Sequence, residues 1–241
     1  MKNISLKLSI IIPVRNEEKS LVILYDEFKK IFFNKYRDFE IIFVNDNSSD
    51  DTQNIINQFS KDCKFLNIYN MLEHSRQSES IDAGIKNSNY DLIATIDGDG
   101  QNPPEEILNL YKNFIEINFN KINYHMIIGL RKNREDSFSK KIGSKVANFI
   151  RNFILRDNCQ DSGSGLKIFF KSSYLSLPFF KNMHRFMPAL MKRENFKVLS
   201  QNVQHRRRLN DKSKYNNANR LFIGIIDLLG VYWLIRRKRK N

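Results

Sequence analysis

Over its first 130 residues the chain alternates between short apolar runs and longer stretches with helical spacing. The runs LSIIIPV (8–14), FEIIFVN (39–45), FLNIYN (65–70), DLIATID (91–97) and YHMIIGL (124–130) have strand length and are rich in isoleucine. Between them, segments such as SLVILYDEFKKIFF and PEEILNLYKNF carry apolar residues at the period of a helix with one buried face. The runs are nearly continuous in apolar residues, which suits strands covered on both sides. This order of elements predicts an α/β domain with a mostly parallel central sheet and helices on both faces. Ligands of such sheets bind beyond the carboxyl ends of the strands, and Asp46 and Asp97 stand at two of those ends.

Beyond residue 131 the pattern loosens. KKIGSKVANFIRNFIL reads as an amphipathic helix, GLKIFF as a short strand, and KSSYLSLPFF and HRFMPALMKRE as short helices around a loop. A basic loop, HRRRLNDKSKY, then leads into LFIGIIDLLGVYWLI (221–235), which is apolar on most faces and interrupted by Asp227 and two glycines. No apolar run reaches the roughly 18 residues that a membrane span requires. The stretch MKNISLKLSIIIPVRNEE has no small-residue cleavage site and reads as a first strand, not as a signal peptide.

Where the fourth run ends, the chain reads ATIDGDGQNPPEEI. Asp97 and Asp99 share a direction if the strand stops and Gly98 allows a tight turn. Carboxylates held together repel unless a cation neutralises them, and two carboxylates with the neutral oxygen of Gln101 suit Mg²⁺ or Mn²⁺. The plain alternative is a turn followed by a helix that Asn102 caps and whose first turn takes Pro103, Pro104, Glu105 and Glu106. In FEIIFVNDNSSDDT, capping explains Ser48 to Thr52 but not the additional acid at Asp46, which could accept from a base or a ribose. In IIIPVRNEEKSL, Arg15 could face phosphate and Glu17 could accept from a base.

Charge narrows the partners. Lys and Arg number 40 against 26 Asp and Glu, a net charge of +14. That balance points to an anionic partner such as a phosphate, a nucleic acid or an acidic membrane face, although lysine spread over a surface has the same sum. A nucleic-acid module leaves the Asp97/Asp99 pair unexplained, because carboxylates repel phosphates unless a cation intervenes, so no nucleic-acid partner is expected. Cys63 and Cys159 lie outside any metal or redox spacing and suggest reduced thiols in a cytosolic setting.

The order PVxNEE, then a strand-end acid followed by SxxDT, then DxDxQxPPEE resembles the inverting family 2 glycosyltransferases. The resemblance is to the dolichol-phosphate mannosyltransferase and polyprenyl-phosphate branch. It continues through GLR (129–131), KKIGSKVANF (140–149), DSGSGLKIF (161–169), HRFMPAL (184–190) and HRRRLNDKSKY (205–215), and so covers nearly the whole chain. The resemblance implies a GT-A (Rossmann-like) domain over 1–215, with a nucleotide-sugar half (1–130) and an acceptor half (131–215). It implies transfer of a hexose, of mannose or glucose type, from a GDP- or UDP-sugar to a polyprenyl or dolichyl phosphate. Pro13, Arg15, Glu17, Val44 and Asp46 would line the nucleotide pocket. Asp97, Asp99 and Gln101 would hold the metal, with Gly98 beside them. Arg131, Arg208 and Lys214 would reach phosphates, Lys140 would stand near the acceptor, Lys140 and Ser144 would count among the cofactor-binding residues, and Asp161 would be the acceptor-side acid. Asp161 could orient Arg131 or Lys140 or could remove a proton. Three departures stand out: Arg15 for a commoner tyrosine, Asn45 for the first of two aspartates, and Lys140 for an arginine. The first two leave the choice of base open.

A lipid acceptor gives the segment 216–241 a role. It could lie as an amphipathic helix in the membrane interface, Tyr232 and Trp233 at headgroup depth and RRKRK on anionic lipid. The alternative is a helix that packs against the domain. The expected location is the cytoplasmic face of a membrane, peripheral, with a separate membrane subunit as a further partner. Among the histidines, His74 and His125 read as structural, while His184 and His205 abut arginines and could flank the acceptor. The rival substrate reading is a soluble glycan or cell-envelope polysaccharide acceptor.

Overall fold

The computed structural model describes residues 4–120, 123–131, 148–207 and 217–237. Lys140, Ser144, Arg208, Lys214 and the tail from Lys238 lie outside the described residues. Seven strands form one sheet in the order β3-β2-β1-β4-β6-β5-β7: β1 (Ile4–Val14), β2 (Tyr36–Asn45), β3 (Leu66–Asn70), β4 (Leu92–Thr95), β5 (Tyr124–Arg131), β6 (Lys167–Phe170) and β7 (Lys197–Val203). β6 is antiparallel to both its neighbours, and every other pairing is parallel. The helices are α1 (Glu18–Phe28), α2 (Thr52–Asp62), α3 (Gln77–Lys86), α4 (Glu105–Phe119), α5 (148–155), α6 (Lys171–Leu175), α7 (Met187–Arg193) and α8 (Asn217–Arg236).

All five strand-length runs are strands, as their continuous apolar character predicts. Alternation along β1 divides its side chains between two cores. Leu8, Ile10, Ile12 and Val14 meet Leu24 and Phe28 of α1, Ile56 of α2 and Leu110 and Phe114 of α4. Ile11 on the other face joins Ile81 and Ile85 of α3, Leu155 of α5, Leu190 of α7 and Val231 of α8. β7 has no counterpart in the apolar pattern. It is an edge strand whose Ser200, Gln201 and Asn202 are tolerated because only one neighbour covers them.

β1, β2 and β3 follow one another outward, and the chain then returns through α3 to place β4 on the other side of β1. The reversal puts a crevice over the carboxyl ends of β1 and β4, where such sheets bind ligands. The α3 return is tightly packed: a Cβ on Gly84 would lie 2.5 Å from Ile11 Cγ2 and 2.9 Å from Val44 Cγ2.

α8 answers the packing question in both directions. Val231 is fully buried, and Leu228, Tyr232 and Ile235 pack on the same core. Asp227, which interrupts the apolar run, accepts from Asn182 Nδ2 at 3.0 Å, and Arg193 Nε donates to Leu234 O at 3.0 Å. The opposite face exposes Ile225, Ile226, Leu229 and Trp233, the last at 59%. The helix is therefore apolar on two faces and not divided into one apolar and one polar face. Among the described residues no helix is long and apolar enough to cross a membrane.

Gly84→Ala tests the α3 packing. In an open helix this change stabilises by about 1 kcal/mol, but here overpacking against Ile11 and Val44 is expected to destabilise by about 1–3 kcal/mol in urea unfolding. A stabilised variant would show that α3 can ride up off the sheet.

Candidate active site

Parallel register delivers the site. Val14 pairs with Asn45, and Asp46 N donates to Val14 O at 2.9 Å, so Arg15 and Asp46 leave adjacent strand ends together. On the other side Ile96 N donates to Ile11 O at 3.1 Å, and the chain then turns away as Asp97-Gly98-Asp99. The three exits surround a cavity of about 360 Å³ lined by Pro13, Arg15, Glu17, Asp46, Asp97, Gly98 and Asp99, joined by Gln77 and Ser80 of α3. The first seven of these are residues that the motifs single out, brought together from three strand ends. Val44 lies elsewhere: it is fully buried beneath α3, in the core and outside the lining of the cavity.

Each acid has its own support. Asp97 Oδ1 accepts from Gln77 Nε2 at 2.7 Å, and Asp99 Oδ1 accepts from the Gln101 backbone N–H at 3.1 Å. A Cβ on Gly165 would lie 2.2 Å from Asp97 Oδ2, so the Asp97 carboxylate occupies the space that glycine leaves. Two carboxylates lining one cavity suit a hard divalent cation, whereas Gln101 lies outside that lining, its side-chain Nε2 donating to Arg206 O at 3.5 Å. Gly98 is needed for close approach, since a Cβ there would lie 2.7 Å from Val14 Cγ1, while the left-handed turn falls on Gly100 at φ 72°.

Asp46 is held by groups the motifs do not single out. Its Oδ1 accepts from Ser75 N at 2.6 Å and from Ser75 Oγ at 3.0 Å, and its Oδ2 faces His74 Nδ1 at 2.9 Å. His74 Nε2 in turn meets Arg15 Nη1. His74 is thus part of the site and not merely structural, because the β3–α3 loop folds back over the end of β2. Asp50 caps as expected: burial pushes its carboxyl up, but hydrogen bonds from Thr52 and Glu18 outweigh it and hold it below the usual range.

A second group lies at the end of β5. Asp161 takes Arg131 in a two-pronged pair, Nε to Oδ2 and Nη2 to Oδ1, both at 2.7 Å. The loop that carries Asp161 is fastened by Arg151 of α5, which is ion-paired with Asp157 and bonded to Ser162 Oγ and the Cys159 carbonyl. Lys167 of β6 is fully buried between the two groups, its Nζ on the Ser164 carbonyl. Burial pushes its ammonium down to about 8, against the upward pull of Asp97. A lysine inside the apolar stretch GLKIFF is the sequence signal for this group.

The basic loop also reaches the metal-type turn. Arg206 Nε donates to Gly100 O at 2.5 Å, Arg206 N to Gln101 O at 2.8 Å, and its Nη atoms grip Glu27 of α1 at 2.6 and 2.7 Å. Nothing in the motif spacing marks Arg206. Of the remaining histidines, His184 Nδ1 is bonded to Ser78 Oγ at 2.7 Å, and His125 stacks on Phe196 with centroids 4.4 Å apart.

The glycosyl transferase family 2 model matches residues 9–177. Dodecaprenyl-phosphate galacturonate synthase of Rhizobium johnstonii is 32% identical over 240 residues, 98% of this chain and 69% of that protein. Undecaprenyl-phosphate 4-deoxy-4-formamido-L-arabinose transferase of Photorhabdus laumondii is 30% identical over 224 residues, 92% of this chain and 66% of its own length. Among solved structures, glucosyl-3-phosphoglycerate synthase from Mycobacterium tuberculosis, in complex with Mn²⁺ and UDP-glucose, superposes with a TM-score of 0.68. It covers 97% of this chain and 80% of that one, at 14% identity, a likeness of fold alone. With motif order, sheet topology and cavity in agreement, the chain belongs to glycosyl transferase family 2 and has the GT-A fold.

Proposed function

We propose that this chain transfers a sugar from a GDP- or UDP-sugar to a polyprenyl or dolichyl phosphate, assisted by Mg²⁺ or Mn²⁺ and working peripherally at the cytoplasmic face of a membrane. The observation that carries the reading is the convergence of Arg15, Asp46, Asp97 and Asp99 on one cavity at the β1/β4 reversal. The relatives act, by their names, on dodecaprenyl and undecaprenyl phosphates, and glucosyl-3-phosphoglycerate synthase has been solved with Mn²⁺ or Mg²⁺ and UDP.

In the proposed reaction an acceptor phosphate oxygen forms a bond to the anomeric carbon as the bond to the nucleoside diphosphate breaks. Negative charge grows on the leaving oxygen, and a divalent cation at Asp97, Asp99 and Gln101 would supply Lewis-acid stabilisation there. The chain's own part is to hold these ligands and to present cations. A phosphate monoester has its second ionisation at about 6, so the acceptor is already a nucleophile at neutral pH and needs positioning more than a base. Both oxygens of Asp161 are engaged by Arg131, which supports the reading of Asp161 as the group that aims that guanidinium. Lys140, Ser144, Arg208 and Lys214 are proposed to serve the acceptor and the phosphates.

The exposed row Ile225, Ile226, Leu229 and Trp233 on α8, followed by Arg236 and Arg237, suits an anionic lipid surface. Because α8 also buries Val231, deleting the helix would open the core, and substitution on the exposed row is the cleaner probe.

Two outcomes test this reading. With purified protein, polyprenyl phosphate and a panel of nucleotide sugars, EDTA should abolish transfer and Mn²⁺ or Mg²⁺ should restore it; undiminished turnover in EDTA would remove the metal assignment. Gly165→Ala, which drives a methyl group into the Asp97 carboxylate, should lower turnover at least about tenfold and weaken Mn²⁺ binding.

Leu229→Glu combined with Trp233→Glu should abolish flotation with anionic liposomes at low salt while donor binding is retained. Wild-type protein that does not float would overturn the interfacial reading of α8.

A further inference from the structure

We infer that His74 is a specificity-determining residue that fixes Arg15 and Asp46 as one hydrogen-bonding edge for the nucleobase, and that this edge selects uracil over guanine. The inference rests on the reading of the cavity as a nucleotide-sugar site. It adds which base is taken and which residue decides.

His74 stands between a carboxylate, which accepts, and a guanidinium, which only donates. The arrangement that satisfies both has the imidazole neutral, its Nδ1–H donating to Asp46 Oδ2 at 2.9 Å and its Nε2 accepting from Arg15 Nη1. The Nδ1–H tautomer follows from the partners and gives the chain a direction: Arg15 donates to His74, and His74 donates to Asp46. Arg15 is thereby tied at one end, and its long side chain is held over the cavity that it lines with Asp46.

The state of Asp46 then discriminates between bases. Each carboxylate oxygen has room for about two donors. Oδ1 takes both from Ser75, through its backbone N–H and its hydroxyl, whereas Oδ2 takes one from His74. One acceptor position is left, on Oδ2. Uracil presents a single N–H between two carbonyls, so its N–H matches that position and a flanking carbonyl matches an Arg15 donor. Guanine presents an N–H and an adjacent amino group, which together ask for both carboxylate oxygens. With Oδ1 filled, the amino group would be desolvated without an acceptor, at a cost of about 1–3 kcal/mol. Cytosine and adenine would turn a ring-nitrogen lone pair toward the carboxylate, which is repulsive.

Nothing in the motifs marks His74. The side chain is 44% exposed, so replacements there need not disturb the core. His74→Phe removes both ring nitrogens at similar size. His74→Gln keeps one donor and one acceptor, and so can bridge Arg15 to Asp46 as the imidazole does.

The test is calorimetric titration of the full chain with UDP and with GDP, each with Mn²⁺, for wild type and both variants, with circular dichroism to verify folding. Wild type should bind UDP at least about tenfold more tightly than GDP. His74→Phe should bring the two within about threefold, and His74→Gln should retain the preference. Equal or tighter GDP binding by wild type, or an unchanged ratio in a folded His74→Phe, overturns the inference and leaves the nucleotide-sugar reading standing. Binding of neither nucleotide overturns both. Should the Phe variant not fold, the wild-type ratio and the Gln variant decide.

Discussion

Four carboxylates, Glu17, Asp46, Asp97 and Asp99, line one cavity, and their mutual repulsion is the constraint around which this end of the molecule is organised. Like charges this close destabilise a fold unless donors or cations answer them. The answers come from separate stretches of chain. Ser75 and His74 serve Asp46, Gln77 holds Asp97, and the backbone of Gln101 holds Asp99. Buried Lys167 contributes positive charge from behind, toward Asp97 and Asp161. The site is thus arranged to retain negative charge in a defined geometry, the condition for taking a divalent cation together with a nucleoside diphosphate.

The surrounding scaffold exists to keep those donors in place. α3 approaches β1 and β2 closely enough that only glycine fits at position 84, and this approach sets Gln77 and Ser80 on the cavity wall. On the opposite flank Arg206 ties the segment after β7 to Gly100, Gln101 and Glu27, so the metal-type turn is braced by a segment more than a hundred residues later. Arg131 and Asp161, fastened through Arg151, form a second rigid unit at the end of β5. Fixing the donors in advance lets the site meet charge developing on a leaving group without reorganising.

α8 shows how one helix can serve two environments. Val231, Tyr232 and Ile235 complete the second core, while Leu229 and Trp233 on the other side remain in solvent. Asp227 is the hinge of that division, since its bond to Asn182 sets which face turns inward. An interfacial role and a packing role are therefore compatible, because the helix carries apolar residues on its exposed face as well as on its packed one.

Much of this was legible in the sequence, for a physical reason. A strand buried on both faces must be apolar throughout, so five strands announced themselves, and a carboxylate at the end of such a strand has few structural uses, which marked Asp46, Asp97 and Asp99. β7 stayed hidden because an edge strand needs little apolar character, and α8 showed its hydrophobicity but not which side packs. His74, Ser75, Gln77, Lys167 and Arg206 could not be assigned from spacing, because each acts across the fold. Their partners lie between 20 and 179 positions away, with Lys167 known by its burial and its reach toward Asp97. The sequence by itself determined the class of sheet and the acids at its rim, since both follow from local burial and turn chemistry. Only the tertiary structure decided which donor faces which acid, because a hydrogen bond depends on where two distant backbones are set side by side.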